Sequence, residues 1–299
     1  MSHPAATPAG RSTAGVLPGI ETPEGEGITV YRPFPSHAAR ELDPFLLLDR
    51  LGPVTIAPGA GAGVPPHPHA GFEVVSYVLE GGLEHRDSAG NHGRLGPGDV
   101  QWMTAGSGIV HSEMPAEDLR AHGGTLEAIQ LWINLPGRDK QMPPRYGDVP
   151  TANIPVATSA DGLATVRVIA GEALGASATL PLRTAITYLH WTLEPGAAVT
   201  QPLPSGTEAM AYVLHGAARF GSDAATATRD QLIRFAGEDG PVTFSVPPDG
   251  ARTELLLLAG PPTGEPVARS GPFVMNTMAE IRAVIEKYRA GALGEIRPE

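Results

Sequence analysis

Two pairs of side chains at i and i+2 spacing stand about forty residues apart: His67 and His69 in His67-Pro68-His69, and His111 and Glu113 in His111-Ser112-Glu113. Successive side chains of a strand point to opposite faces, so residues i and i+2 share a face roughly 6.6 Å apart and can grip one ion. Of the ten histidines, eight lie before residue 150 and five fall between positions 67 and 111, a clustering that ordinary surface usage does not produce. A lone buried histidine is usually a hydrogen-bonded core residue, but two same-face pairs around one hairpin system point to a mononuclear metal site. The expected ligands are His67, His69, His111 and Glu113.

There is no Cys, so thiolate ligation, zinc fingers, iron–sulfur clusters and disulfides are excluded, and any ion must be held by imidazole and carboxylate. Three neutral imidazoles and one carboxylate form a shell of borderline hardness that suits Fe(II), Mn, Co, Ni, Cu or Zn. In an ion that prefers six ligands, four protein donors leave two positions open for water, dioxygen or a chelating substrate, which favours iron. Glu73, four residues after His69, could be a fifth ligand, a carboxylate orienting an imidazole from behind or simply a barrel residue, and the orienting role ranks first. His85 and His92, on or near the next hairpin, are read as wet or locally hydrogen-bonded and stay off the ligand set. Phe72, Trp102 and Met103 flank the site and read as core first and as pocket lining second.

The elements that must position these residues are strands. The chain has 37 Gly and 31 Pro but only 18% charged residues, and from Ile28 short apolar runs alternate with Gly/Pro punctuation at about ten-residue spacing, as in GFEVVSYVLEGGLEHRDSAGNHGRLGPGDVQWM. Gly81-Gly82 and Ser88-Ala89-Gly90-Asn91 are expected hairpin turns. At 299 residues two domains are expected. The predicted fold class is all-β, a barrel or sandwich of short strands, with a short C-terminal helix.

Residues 1–26, His3 among them, lack hydrophobic periodicity and read as a loose tail or an edge arm. Residues 27–145 form the expected metal-binding domain and 146–299 the second, with the linker in GRDKQMPPRYGDVP near residues 136–150. EVVSYVLEGG from Glu73 recurs as EAMAYVLHGA from Glu208, which marks a duplication. Aligned without gaps, His67 meets Pro202 and His69 meets Pro204, so the second copy lacks the site. Thr277-Met278-Ala279-Glu280 is a capping box, and Ile281, Val284, Ile285 and Tyr288 recur on one helical face before Gly291.

A net charge of −11 without a basic patch excludes direct nucleic-acid binding. No apolar run of about 18 residues offers a membrane span, and no basic segment precedes an apolar core, so the expected location is the cytoplasm. Ser107 between Gly106 and Gly108 lacks a His/Asp partner pattern, so a hydrolase is not expected, and no glycine-rich loop opens a helix behind a strand to bind a nucleotide.

HPHAGFEVVSYVLEGG, HRDSAGNHGRLGPGDVQWMTAGSGIVHSEMP, LDPFLLLDRLGP and the late GPFVMNT together resemble the pirin family of bicupins, densely over residues 28–136 and more sparsely over 185–291. The resemblance implies two tandem cupin barrels, each a double-stranded β-helix or jelly roll, with one iron held in the N-terminal cupin by His67, His69, His111 and Glu113 and no metal in the C-terminal cupin. It further implies cleavage of a small aromatic substrate, the flavonol quercetin, by dioxygen with release of carbon monoxide, Glu113 accepting the 3-hydroxyl proton. The alternative it implies is a redox- or metal-sensing adaptor that binds a metabolic enzyme or transcription factor, the iron acting as a charge switch. The family's Arg after HPH and Thr after GFE are here Ala70 and Val74.

Overall fold

A computed structural model describes residues 10–40, 42–60, 63–237 and 239–296. His3 and residues 1–9 of the expected tail lie outside them. The expected all-β bicupin architecture is present, and the chain divides into two compact units, one of residues 20–153, 181–184 and 263–296, the other of residues 10–19, 154–180 and 185–262. Among the described residues no helix is long and apolar enough to cross a membrane.

The first unit is built from two antiparallel sheets. A seven-stranded sheet runs in the order Arg145–Val149, Val100–Thr104, Phe72–Glu80, Gly124–Asn134, Phe45–Ile56, Ile28–Phe34, Ile20–Glu24, and a four-stranded sheet in the order Val64–His69, Ile109–Pro115, Leu83–Asp87, His92–Leu95. Apolar residues at alternate positions close the space between them. Ile109 packs with Leu46, Leu47, Phe72, Val74, Met103 and Trp132, while Leu83 and Leu95 meet Ile56, Val78, Leu126 and Ala128. Ser88–Asn91 is a true hairpin turn between paired strands, whereas Gly81-Gly82 carries the chain from one sheet to the other.

The second unit repeats this plan, its larger sheet centred on Glu208–His215, Thr253–Gly260 and Thr187–Leu193 and its smaller on Ala198–Gln201, Val242–Ser245, Ala217–Phe220 and Ala225–Thr228. Cross-strand register aligns the two copies more finely than gapless alignment does. His67 pairs with His111 in the first, and Gln201 pairs with Val242 in the second, so Gln201 rather than Pro202 takes the position of His67. The connection onward is one residue longer in the second copy (67 to 73 against 201 to 208), which gapless alignment cannot express.

Of the two forms expected for the first residues, the described part takes the edge arm and not the loose tail: Thr13–Pro18 pairs with Gln231–Phe235 as an edge of the second unit, and Ile20–Glu24 pairs with Ile28–Phe34 in the first. The capping-box helix, Met278–Arg289, forms with Thr277 and Glu280 bonding reciprocally, yet it belongs to the first unit. Ile281 and Val284 bury against Ala70, Val110, Phe273, Met275 and Leu293. Ala70 and Val110 each adjoin a candidate ligand, so the helix buttresses the strands that carry the histidines, an attachment that no local sequence signal reports.

Candidate metal centre

Strand register, not sequence proximity, assembles the site. Antiparallel pairing of Val64–His69 with Ile109–Pro115 sets His111 opposite His67, and the three imidazoles converge with ring centroids 4.6 Å (His67 to His69), 4.3 Å (His67 to His111) and 4.8 Å (His69 to His111) apart. One ring nitrogen of each lies within 4.8 Å of the others. The turn after His69 is fixed by Gly71, whose φ of +85° suits glycine and whose missing Cβ leaves room for the Val274 carbonyl. Lys140, buried and lowered to about 8 by desolvation, holds that turn by donating to the carbonyl of Gly71 (2.7 Å) and to Asn134 Oδ1 (2.6 Å).

The hydrogen bonds of the rings say which nitrogen faces inward. His67 Nδ1 lies 2.9 Å from the Pro65 carbonyl and His69 Nδ1 3.3 Å from the Pro272 carbonyl, and a carbonyl only accepts, so both Nδ1 atoms carry the proton and both Nε2 atoms present lone pairs. These two Nε2 atoms are 3.0 Å apart. Two acceptors at that distance repel unless a cation lies between them, and 3.0 Å is the edge spanned by two bonds of about 2.1 Å at roughly 90°. His111 Nε2 is buried without a hydrogen-bond partner. Burial, then the neighbouring imidazoles, hold His69 and His111 well below the usual histidine range, so they are neutral and competent to ligate. The donor set therefore fits a divalent transition ion.

Glu113 is buried on the same strand but stands outside this close group. Its carboxylate accepts from Ser76 Oγ (2.9 Å) and Gln130 Nε2 (2.6 Å), and Gln130 in turn accepts from the indole N–H of Trp132 (3.2 Å). Trp132 also stacks on Phe72 at 4.2 Å and meets the edge of His69 at 4.9 Å, so a flat aromatic wall flanks the imidazoles. Val74, where the family carries Thr, is buried in the apolar cluster around Phe72.

Burial reshapes two of the expected neighbours. Glu73 orients no imidazole: it accepts from Thr104 Oγ1 (2.7 Å) and from the backbone N–H of Arg183 (2.9 Å), and burial raises its carboxyl against those bonds. His85 takes the hydrogen-bonded one of its two expected roles, paired with Asp87 (3.3 Å), but it is 1% exposed, stacked on Tyr146 at 4.6 Å and set directly behind His111 at 5.3 Å. His92 is exposed and bonds Glu84 (3.0 Å), as expected of a hairpin residue. Sequence reasoning also missed Ser76, Gln130, Asp87 and Gln101. The available signal was the alternation Leu83, His85, Asp87, whose odd members share the face of the ligands across the sheet.

The family profile described as Pirin matches residues 27–133, and that of the Pirin C-terminal cupin domain matches residues 188–294. The chain belongs to the pirin family. Pirin-like protein 2 of Arabidopsis thaliana is 41% identical over 276 residues, covering 91% of this chain and 82% of that protein, and human Pirin is 41% identical over 270 residues, covering 90% and 89%. The crystal structure of quercetin 2,3-dioxygenase from Acinetobacter baumannii superposes with a TM-score of 0.90 at 33% identity, covering 97% of this pirin and all of that chain.

Proposed function

We propose that this pirin binds one Fe(II) ion through His67, His69, His111 and Glu113 and cleaves a flavonol with dioxygen, as a quercetin 2,3-dioxygenase. The observation that carries the proposal is the convergence of Nε2 lone pairs, two of them 3.0 Å apart and the third buried without a partner. Likeness to the Acinetobacter enzyme over nearly the whole chain supports the substrate class.

The ion, when bound, supplies Lewis-acid charge at the substrate oxygen and an electron route to dioxygen. The protein's own residues do the rest. Glu113 serves as the base for the flavonol 3-hydroxyl, and release from Ser76 or Gln130 frees an oxygen to ligate or to take the proton. Phe72 and Trp132 offer a face for a planar ring. Arg269, 5.1 Å over the Trp132 ring, places a cation on this side of the site where the family's Arg is replaced by Ala70, and it suits an anionic substrate.

Iron-loaded protein mixed with quercetin under oxygen should bleach the flavonol absorbance and release carbon monoxide, and the Glu113→Ala variant should do neither. Loaded wild-type protein that leaves quercetin unchanged removes the enzyme reading.

A further inference from the structure

We propose that Asp87 and His85 are positioning residues that select, through a chain of hydrogen bonds, which nitrogen of His111 faces the metal. The proposal rests on the metal-centre reading above and deepens it. Asp87 is locked in the hairpin turn. Its Oδ1 accepts from the backbone N–H of Ala89 and of Asn91, both at 2.9 Å, and its Oδ2 accepts from Asn91 Nδ2 (2.8 Å) and from His85 Nε2 (3.3 Å). A carboxylate offers no proton, so His85 carries its own on Nε2 and leaves Nδ1 as an acceptor.

Two donors meet that acceptor. Gln101 Nε2 is 3.2 Å away and His111 Nδ1 is 3.5 Å away, while the Tyr146 hydroxyl beside them donates to Asp148 Oδ1 (2.5 Å). His111 therefore holds its proton on Nδ1, and its lone pair lies on Nε2, the atom left buried and unpartnered among the imidazoles. Tyr146, stacked on His85 at an interplanar angle of 23°, fixes the plane of the relay. Gly93, opposite His85 in the sheet, has no Cβ to displace the Tyr146 hydroxyl.

The three imidazoles are thus set in two different ways. His67 and His69 are anchored on main-chain carbonyls, which no side-chain substitution alters, whereas His111 is anchored on another imidazole whose own tautomer is dictated by one carboxylate. An amide in place of Asp87 keeps the shape but can donate to His85 Nε2. That reverses every bond in the chain and puts a proton where the ion must bind.

The test uses full-length wild type, Asp87→Asn, His85→Phe and the double variant, each titrated with Co(II) and followed by its d–d absorption, with thermal melts alongside. Asp87→Asn should bind Co(II) about 10- to 100-fold more weakly, with an altered band from loss of one nitrogen donor. His85→Phe should show a smaller loss, and in its background Asp87→Asn should cost no further affinity, because the relay is already cut. A wild type that takes up no Co(II) sinks the metal-centre reading itself. A wild type that binds while Asp87→Asn matches it in affinity and band, or while the two losses simply add, overturns the relay and leaves the centre standing.

Discussion

One scaffold is filled in two ways. In the first barrel Ser76 lies between Gln101 and Gln130, Glu113 faces His85, and His111 faces His67. At the same register positions of the second barrel Ala211 lies between Ile233 and Leu257, Phe244 faces Phe220, and Val242 faces Gln201. There the interior closes as an aromatic cluster, with Trp191 edge-on at 5.5 Å and Phe220 tilted at 6.3 Å from Phe244. The second filling demonstrates that these positions accept apolar residues, which are cheaper to bury than hydrogen-bonded polar ones. Where the second barrel closes with Val242, Phe244 and Ala211, the first keeps a cluster of His67, His69 and His111 able to hold a cation.

The difference can be broken from either side. His111→Ala should have the largest effect, taking bound transition metal from one equivalent to near zero by elemental analysis while the melt of the second barrel is unmoved. Phe244→Ala should do the converse, costing about 3–5 kcal/mol in denaturant unfolding through the cavity it opens and leaving metal content unchanged. Importing the second barrel's residues as Ser76→Ala with Gln130→Leu strips Glu113 of both donors. Stability should fall by about 1–3 kcal/mol and flavonol turnover should drop with metal still bound.

Acid gives the smallest effect. His69 and His111 are lowered in the folded chain, so below about pH 6.5 the unfolded chain takes up protons that the folded chain refuses, and stability falls as pH falls. Chelated protein should lose about 1 kcal/mol for each of these imidazoles between pH 6.5 and 5.5, and His111→Phe should remove one share of that loss.

Local patterns carried much of this molecule. Same-face spacing disclosed His67, His69 and His111, the repeat around Tyr77 and Tyr212 disclosed the duplication, and the capping box disclosed the last helix. What stayed hidden was set by long-range pairing. His85 reads as a hairpin residue until Glu113 is found opposite it, and Glu73 reads as a neighbour of His69 until its strand is seen to lie in the other sheet. Thr13–Pro18 and Met278–Arg289 join units remote in sequence from their own neighbours, and periodicity reports what a segment buries but not against which partner.

The most direct test is diffraction from crystals of the metal-loaded protein at the absorption edge of the bound ion. One anomalous peak bonded to Nε2 of His67, His69 and His111, with the second barrel dark, is the predicted result. Loaded crystals with no peak among those rings, or with the rings turned onto other partners, would contradict the account.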